Sequence, residues 1–530
     1  INGVPGFSLD GFYFSEAEKL PQVPVPFGLD FSPGRIADAE LKHILHLQKL
    51  VILDLSDCDV TDHGVKDLTV FKELFSLNLS GTRVTKNGIE ELRKLSKLRE
   101  LTVPDWVDNN SLNQIAGLKS LTILDLGGTK ITNEGLKELV TLTQLKTLHL
   151  HRTAITDAGL KHLAAHKHLL GLGLGATHIT DDGIKLVAVH KKLKWLNLGG
   201  TKITDGGMQE LAALKDLAFL NLGGTQLTDS GLKQIENLEE IRRLHLGGTK
   251  VTDSGLNHVS KLSNLEELDL FRTAVGGSGL KHLLRLKKLE RLQLRDCKIE
   301  AEGLRHLASL AKRTNFELHV DVTDAILRVL RESQTIHVLS NCRRLDHRRP
   351  ASAEEIDWLD LAFTRITDLG LKELAFLPNV SDLVLFKTNI TDAGLKELSG
   401  FKKTRYAGLS GTKITDAGLK ELAANMPKVE SLDLGSLRIT GQGIRELRIL
   451  TSLKQLTLDN LDLTAADLRE VAGLRTVTAL NLHKSDVTDE ELLELATMAN
   501  LRRLGLTDTK VTEDGISKLR KALPNCQIHK

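Results

Sequence analysis

The stretch that decides the fold is LKTLHLHRTAITDAGLKHLAAHKH at 145–168. Similar copies follow as LKWLNLGGTKITDGGMQELAALKD at 193–216 and LAFLNLGGTQLTDSGLKQIENLEE at 217–240, each 24 residues long. Near-identical copies at a fixed period are the signature of a repeat architecture, and we count about twenty copies in this chain. The middle leucine of the LxxLxL segment recurs before and after these copies, with alanine in its place at Ala407. The positions are Leu53, Leu77, Leu101, Leu124, Leu148, Leu172, Leu196, Leu220, Leu244, Leu268, Leu292, Leu359, Leu383, Ala407, Leu432, Leu456, Leu480 and Leu504.

Within each copy the hydrophobic period changes halfway. In the copy at 145–168, Leu148 and Leu150 alternate with polar residues, which is the period of a short strand with one buried face. Leu160, Leu163 and Ala164 then recur at helical spacing and predict a helix of about three turns. The Thr-Asp pair between the two segments supplies a side-chain oxygen suited to the helix N-cap.

A single strand and a single helix cannot bury both of their apolar faces, so the copies must stack on one another. Stacking places the strands in a parallel sheet on one side and the helices on the other, and the wider helical layer makes the stack curve. The sequence therefore predicts an α/β fold, a right-handed solenoid shaped as a horseshoe or arc. Its parallel β-sheet lines the concave face, its helices lie on the convex face, and it has about twenty repeats.

Composition excludes several classes of protein. The 530 residues include 103 leucines, and 41% of all residues are apolar, which is ample for a core. The 71 basic and 69 acidic residues leave a net charge of +2, so no global field favours nucleic acid or an anionic membrane. No apolar stretch is long enough to span a bilayer. No signal-peptide pattern follows Ile1, which favours a cytoplasmic location, with export after loss of a signal peptide as the alternative.

Small residues recur at two positions of the repeat. We expect the threonine that ends LxxLxLxxT to hydrogen-bond the backbone where the chain leaves the sheet. Cys58 and Cys297 occupy the same position and are expected to be small buried residues; the four cysteines form neither a disulfide framework nor a CxxC zinc motif. Gly159, Gly207 and Gly231 fall at one helix-start position, where we expect them to serve the turn. The threonines that end LxxLxLxxT are Thr129, Thr153, Thr177, Thr201, Thr225, Thr249 and Thr273.

The pattern resembles the leucine-rich repeat superfamily over nearly the whole chain. The ITDxGLxxL half is similar to the cysteine-containing repeats of F-box adaptor proteins, although threonine dominates here and no F-box-like segment precedes the repeats. The copies TNITDAGLKELS (388–399) and TKITDAGLKELA (412–423) more closely resemble large bacterial repeat proteins abundant in planctomycetes. The break VTDAILRVLRES…RRPASAEEIDWLDL also resembles a linker of those proteins. The resemblance implies binding of a protein partner on the concave face.

Departures from the repeat predict five segments. Residues 1–26, rich in aromatic residues and proline, suit an N-terminal cap, and 524–530 suit a cap strand at the other end. Two repeat blocks, 27–320 and 356–523, flank an irregular helical and basic insertion at 321–355.

The insertion contains the densest positive cluster of the chain. Arg343, Arg344, Arg348 and Arg349 surround His347. This segment is either a solvated loop that joins two blocks or a contact arm for an acidic partner.

The side chains beside the strand leucines face the concave solvent and form the predicted partner site. Aromatic residues beside arginines have the composition of binding hot spots. By contrast, Gly171, Gly173 and Gly175 predict a bare stretch on the same face. We therefore expect a non-enzymatic scaffold that binds a protein partner bearing acidic and apolar side chains. The predicted partner-binding residues are Trp195, Phe219, Arg243, His245, Phe271, Arg272, Arg291, Arg295, Trp358, Phe386 and Tyr406.

The alternative function is a small-ligand or metal-dependent activity at Asp125, His149 and His151. These two imidazoles and one carboxylate lie on neighbouring strand positions and make a possible open metal site. The main expectation nevertheless includes no metal and no cofactor.

Other chemistry finds little support in the sequence. Histidines such as His162, His166 and His168 are expected to be solvated. No copy brings a nucleophile, a base and an orienting group together, so we expect no enzyme. Glu267 and Asp269 interrupt the strand-face arginines, which argues against a phosphate track for nucleic acid.

Overall fold

The structure, a computed structural model, describes residues 6–8, 24–32, 36–312 and 316–530. The chain forms two compact units, the first comprising 1–275 and 282–289 and the second 276–281 and 290–530. The predicted N-terminal cap at 1–26 lies almost entirely outside the described residues. Each unit is a stack of strand–helix copies about 24 residues apart, which confirms the predicted solenoid.

The first unit contains strands that pair in parallel, each with the next one along the chain. The middle leucines lie in register, as Leu148 does with Leu172 and Leu172 with Leu196. Chain order and spatial order coincide because each copy stacks on its neighbour. The strands are β1 (Gly6–Ser8), β2 (Phe27–Asp30), β3 (Leu50–Asp54), β4 (Ser76–Asn78), β5 (Glu100–Thr102), β6 (Ile123–Asp125), β7 (Thr147–His149), β8 (Gly171–Gly173), β9 (Trp195–Asn197), β10 (Phe219–Asn221), β11 (Arg243–His245) and β12 (Glu267–Asp269).

The second unit repeats this arrangement with one exception. Strand β15 pairs antiparallel with β16, whereas β16 to β23 pair in parallel in chain order. The strands are β13 (Arg291–Gln293), β14 (Glu317–His319), β15 (Cys342–Arg343), β16 (Trp358–Asp360), β17 (Asp382–Val384), β18 (Tyr406–Gly408), β19 (Ser431–Asp433), β20 (Gln455–Thr457), β21 (Ala479–Asn481), β22 (Arg503–Gly505) and β23 (Gln527–His529).

Short helices follow the strands. None of the described helices is long and apolar enough to cross a membrane. The α-helices of the first unit are α1 (Asp38–Leu41), α2 (Asp62–Leu68), α3 (Lys86–Glu91), α4 (Leu112–Ala116), α5 (Asp157–Leu160), α6 (Asp181–Val187), α7 (Met208–Leu211), α8 (Asp229–Ile235) and α9 (Leu256–Val259). Those of the second are α10 (Ala301–Ala311), α11 (Asp324–Glu332), α12 (Asp368–Leu374), α13 (Asp392–Lys396), α14 (Asp416–Asn425), α15 (Gly441–Glu446), α16 (Ala465–Ala472), α17 (Asp489–Leu492) and α18 (Glu513–Ala522).

Short 3₁₀ helices extend or replace several of these α-helices. They are Leu92–Lys94, Asn109–Ser111, Gly135–Thr141, Lys161–Ala165, Asp205–Gly207, Ser278–Arg285, Ile336–Val338, Ala353–Glu355, Glu397–Gly400, Leu447–Ile449 and Leu493–Thr497.

Many of the helices are shorter than the three turns predicted from the sequence. In the copy at 145–168, α5 ends at Leu160 and a 3₁₀ segment runs only to Ala165. Ala164, predicted on the buried face, is exposed. The helix stops early because the chain turns back toward the next strand, where the backbone N–H of Leu169 donates to the carbonyl of His166.

The core contains the strand and helix leucines together with the predicted threonine ladder. Thr153 is buried, and its hydroxyl donates to the Leu150 carbonyl at 2.6 Å. The equivalent threonines make the same bond, so this prediction is confirmed. Cys58 and Cys297 are buried at this position, as expected.

A second ladder, absent from the sequence expectations, joins many of the copies to the next. The Asp157 carboxylate accepts hydrogen bonds from the backbone N–H of Thr180 at 2.9 Å and from its hydroxyl at 2.6 Å. This Asp–Thr ladder consists of the pairs Asp38–Thr61, Asp62–Thr85, Asp157–Thr180, Asp181–Thr204, Asp205–Thr228, Asp229–Thr252, Asp324–Thr367, Asp368–Thr391, Asp392–Thr415, Asp416–Thr440 and Asp489–Thr512.

The Asp–Thr ladder also explains the helix-start glycines. None of Gly159, Gly207 and Gly231 has a positive φ, so a special turn conformation does not require them. A Cβ at Gly231 would lie 2.5 Å from Asp205 Oδ1, the ladder carboxylate of the preceding copy. The expectation that these glycines serve the turn is therefore wrong, because what they supply is space for a side-chain oxygen of the preceding copy, from Asp at Gly207 and Gly231 and from Asn133 at Gly159.

One of the histidines expected in solvent lies in the core. His166 is fully buried, and its ring nitrogens face the carbonyl oxygens of Leu139 at 2.9 Å and Leu163 at 3.3 Å. His190 occupies the same position of the next copy and is also buried. Leu214 fills this position one copy later, so the two histidines replace core leucines.

Candidate functional site

Aromatic side chains form a continuous row on the strand face of the first unit. Trp195 and Phe219 stack with ring centroids 5.5 Å apart and planes at 14°. The ring centre of His149 lies 5.1 Å from that of Trp195, and the two rings are in a T-shaped arrangement. On the other side, the ring centre of His245 lies 5.1 Å from that of Phe219 in the same arrangement. We call His149, Trp195, Phe219 and His245 the aromatic row. The structure thus brings three of the predicted partner residues together with one histidine of the predicted metal site.

The glycine strand β8 allows the row to be continuous. A Cβ at Gly173 would lie 3.0 Å from His149 Nδ1 and 3.3 Å from Trp195 Cη2, so both rings extend over this residue. Gly171, Gly173 and Gly175 are consequently buried. The prediction of a bare stretch at these glycines is wrong, because side chains of the two flanking strands cover them.

A groove of about 410 Å³ runs beside the aromatic row, just beyond the carboxyl ends of the strands. Gly199, Gly223 and Gly247 form its floor, and we call it the glycine groove. Asn197 Oδ1 accepts from Gly199 N–H and Asn221 Oδ1 from Gly223 N–H, which fixes both amides. Neither amide nitrogen has an acceptor among the described residues. The groove is lined by His151, Arg152, Gly175, Ala176, Asn197, Gly199, Asn221, Gly223, His245, Gly247, Asp269 and Phe271.

Positive charge borders the row and the groove at one end. The exposed guanidinium of Arg243 lies 6.0 Å from the Phe219 ring centre, and that of Arg272 lies 5.1 Å from the Phe271 ring centre. Phe271 is 37% exposed, which is high for a large apolar side chain. His245 Nε2 lies 3.3 Å from Glu267 Oε1, so the Glu267 carboxylate partly balances the positive charge at this border.

The predicted partner residues of the second unit have different surroundings. Arg291 is exposed and pairs with Glu317 at 3.4 Å, and a hydrogen bond from His319 lowers the pKa of Glu317 to about 2. Arg295 is exposed. Trp358 is half-buried beneath the guanidinium of Arg343, 5.7 Å from its ring centre.

Carboxylates surround the remaining two predicted residues. Phe386 and Tyr406 both lie against Gly408, where a Cβ would be 2.7 Å from the Phe386 ring and 3.0 Å from the Tyr406 hydroxyl. Burial, followed by the charges of Asp433, Asp382 and Asp360, raises the pKa of Tyr406 to about 12. This surface is acidic, unlike the border of the aromatic row.

Two of the four arginines of the positive cluster in the insertion pair with acidic residues. Arg344 contacts Asp346 at 3.3 Å and Glu355 at 3.2 Å, and Arg348 lies 3.9 Å from Asp346. Arg343 stacks on Trp358. Helix α11 buries Ile326, Leu327 and Leu330 and ends at Glu332.

Asp125, His149 and His151 lie together at the start of the aromatic row. Asp125 is directly in register with His149, and each of the three residues offers a ligand atom within 4.8 Å of the others. Burial lowers the pKa of His149, the Asp125 carboxylate opposes this shift, and His151 adds to it. Asp125 Oδ1 accepts from the Gly127 N–H at 2.8 Å, which orients the carboxylate.

Comparisons with known proteins agree with the repeat architecture. The family model described as "Leucine Rich repeat" matches residues 46–68, 117–140, 189–212, 261–284, 285–308 and 359–375. A comparison with curated proteins found no match.

Several solved structures are similar to this chain. An internalin of Listeria monocytogenes is 21% identical, over 70% of this chain and 88% of that chain, with a TM-score of 0.38. A leucine-rich-repeat protein of Leptospira interrogans is 19% identical, over 92% and 98%, with a TM-score of 0.31. The Arabidopsis receptor kinase HAESA, in complex with the peptide hormone IDA and the co-receptor SERK1, is 15% identical, over 91% and 82%, with a TM-score of 0.40. Six stretches of this chain thus match the leucine-rich-repeat model, and they lie within the stacked strand–helix copies of the structure.

Proposed function

We propose that the protein is a non-enzymatic scaffold that binds a protein partner on the strand face of its first unit. The observation that carries this proposal is the aromatic row, in which Trp195 and Phe219 stack on a solvent-facing sheet surface beside the glycine groove. Copies elsewhere fold with small or polar residues at these positions, so folding does not require the aromatic rings. Stacked aromatic residues that remain partly open to solvent are typical anchors of a binding interface.

The partner that suits this surface is an extended segment with apolar side chains and at least one carboxylate. The glycine floor lets a peptide backbone approach closely, and the amide nitrogens of Asn197 and Asn221 are available to donate to its carbonyl oxygens. Apolar side chains of the segment would pack on Trp195 and Phe219. Arg243, exposed beside Phe219, would pair with the carboxylate.

The surface of the second unit does not favour the same partner. Trp358, Phe386 and Tyr406 lie near the carboxylates of Asp360 and Asp382. The proposal of an acidic segment therefore rests on the first unit alone.

Selection from a random peptide library displayed on phage, with the full chain as bait, tests this proposal. We expect enriched peptides that combine aromatic or aliphatic residues with Asp or Glu. A synthetic peptide of the enriched sequence should bind Arg243→Glu at least tenfold more weakly than wild type, because the variant repels its carboxylate. Enrichment of basic peptides, or equal binding by Arg243→Glu, would contradict the proposed partner.

A matched control lies away from the strand face. Val189 is 55% exposed and follows helix α6 in the same unit. Its replacement by alanine changes the surface of the first unit outside the strand face and should leave the affinity for the selected peptide unchanged.

A further inference from the structure

We propose that Asp125, His149 and His151 form a binding site for one divalent first-row transition cation such as Zn²⁺. Their side chains offer two imidazole nitrogens and one carboxylate oxygen, all within 4.8 Å of one another. This donor set suits zinc, nickel, copper and iron, whereas magnesium and calcium prefer oxygen ligands throughout. Within the part of the chain that the structure describes, no other three residues of these types come together in this way.

Neighbouring copies bring the three ligands together by their register. His149 is the last residue of strand β7, and His151 lies two residues later in the turn that follows, with its ring centre 6.4 Å from that of His149. Asp125 occupies the position beside His149 on the adjacent strand. Adjacent parallel strands are roughly 4.8 Å apart, so the strand spacing sets the distance between the Asp125 carboxylate and the imidazoles.

A glycine provides room for the His151 ring beside Asp125. Any Cβ at Gly127 would overlap the His151 imidazole, which lies over the backbone of the turn that follows the strand of Asp125. The ring thereby extends from its own copy to the preceding one. Gly127 also donates its N–H to Asp125 Oδ1, which leaves Oδ2 for the cation. Such orientation of a ligand by a backbone hydrogen bond is typical of metal sites.

The three donor atoms need only a small adjustment to hold a cation. Bonds of about 2.0–2.1 Å in tetrahedral geometry place ligand atoms roughly 3.4 Å apart. The three residues are partly exposed and their donor atoms already lie within 4.8 Å of one another, so the closure that a cation requires is between 4.8 Å and this spacing. Three protein ligands leave at least one coordination position open, and His151 also lines the glycine groove.

Titration of the metal-free full chain with Zn²⁺ in a calorimeter, in the absence of any partner, tests the site. We expect one Zn²⁺ per chain with an affinity in the micromolar range or tighter, and at least tenfold weaker binding by His149→Ala, His151→Ala and Asp125→Asn. His245→Ala is the matched control, because His245 lies in the aromatic row but outside the three ligands; its affinity should stay within twofold of wild type. Circular dichroism of each variant establishes that it is folded.

Trp195 provides a second, independent readout. Its ring lies 5.1 Å from that of His149, so Cu²⁺ bound at the site should quench its fluorescence. The quenching should be largely lost in Trp195→Phe, which should still bind Zn²⁺ with wild-type affinity. Unchanged Zn²⁺ binding by the folded His149→Ala, His151→Ala double variant would overturn the proposal, as would wild-type affinity weaker than millimolar. Neither result bears on partner binding, which is measured with the selected peptide in metal-free buffer.

Discussion

Asp324 Oδ2 accepts a hydrogen bond from the hydroxyl of Thr367 at 2.6 Å, although 43 residues separate the two in sequence. Asp157 and Thr180 make the same bond between ordinary copies with a separation of 23 residues. Helix α11 of the irregular segment packs against α12 directly, as the helices of adjacent regular copies do. The Asp–Thr ladder is therefore continuous across the insertion within the second unit.

Removal of the Asp324 carboxylate tests this continuity. Asp324→Ala leaves the hydroxyl and the backbone N–H of Thr367 without their acceptor, which should cost about 1–2 kcal/mol of unfolding free energy. The Thr367 amide should also exchange its hydrogen faster, as measured by exchange mass spectrometry. Asp462→Ala, an exposed position in the same unit, is the control and should change neither quantity. Unaltered exchange at Thr367 in Asp324→Ala would contradict the ladder.

Gly183→Ala should destabilise the protein even though alanine favours helices. Gly183 lies in α6, where helix propensity alone predicts a gain of about 0.5–1 kcal/mol. A Cβ there would overlap Asp157 Oδ1, so we expect a loss on the order of 1–3 kcal/mol instead. Urea unfolding of Gly183→Ala in the wild-type and Asp157→Ala backgrounds measures the coupling. The loss should shrink or reverse in the Asp157→Ala background, and equal losses in both would show that the carboxylate is not the cause.

The buried His190 should make stability depend on pH. Burial, followed by the charge of His166, lowers the pKa of His190 in the folded state below its ordinary value near 6.5. As pH falls below about 6.5, His190 takes up a proton in the unfolded chain but not in the folded protein. The free energy of unfolding is therefore lower at pH 5.5 than at pH 8. His190→Leu introduces the residue found at Leu214 one copy later. Its stability advantage over wild type, measured by urea unfolding, should be larger at pH 5.5 than at pH 8; an advantage independent of pH would be evidence against this account.

The Cys342 thiol should be unreactive in the folded protein. Its side chain is buried, and burial raises its pKa to about 12, so the reactive thiolate is scarce at neutral pH. Iodoacetamide at pH 8 should label Cys342 only after denaturation, as read by peptide mass spectrometry. Labelling of the native protein at the rate of a free thiol would contradict its burial.

Features that lie within one copy were predicted correctly from the sequence more often than features that join two copies. Alternation at Leu148 and Leu150 predicts the strand, and Thr153 was correctly expected to bond the backbone. The bond from Asp157 to Thr180 depends on how two helices stack, which hydrophobic periodicity does not report. The frequent pairing of Asp with Gly two positions later, as in the TDAG of 156–159, was the signal that could have revealed it.

In the candidate site, too, positions within one strand were predicted, whereas contacts between side chains of different strands were not. Alternation identified Trp195 and Phe219 as strand-face residues, and it placed Asp125 beside His149. It did not predict that Trp195 extends over Gly173 to reach His149, because the rotamer of an exposed ring depends on the space left by the neighbouring strand. Core histidines such as His166 were missed for a different reason: their polarity suggested solvent, whereas their repeat position is that of a buried leucine.

The affinity of the Trp195→Ala, Phe219→Ala double variant for the peptide selected on the wild-type chain tests the central claim most directly. Isothermal titration with both proteins, and with the Val189→Ala control, gives the comparison. The account predicts that the double variant loses at least about 2 kcal/mol of binding free energy, or roughly 30-fold in affinity, while Val189→Ala binds as wild type does. A folded double variant that binds the peptide with wild-type affinity would contradict the claim that the strand face of the first unit is the partner site.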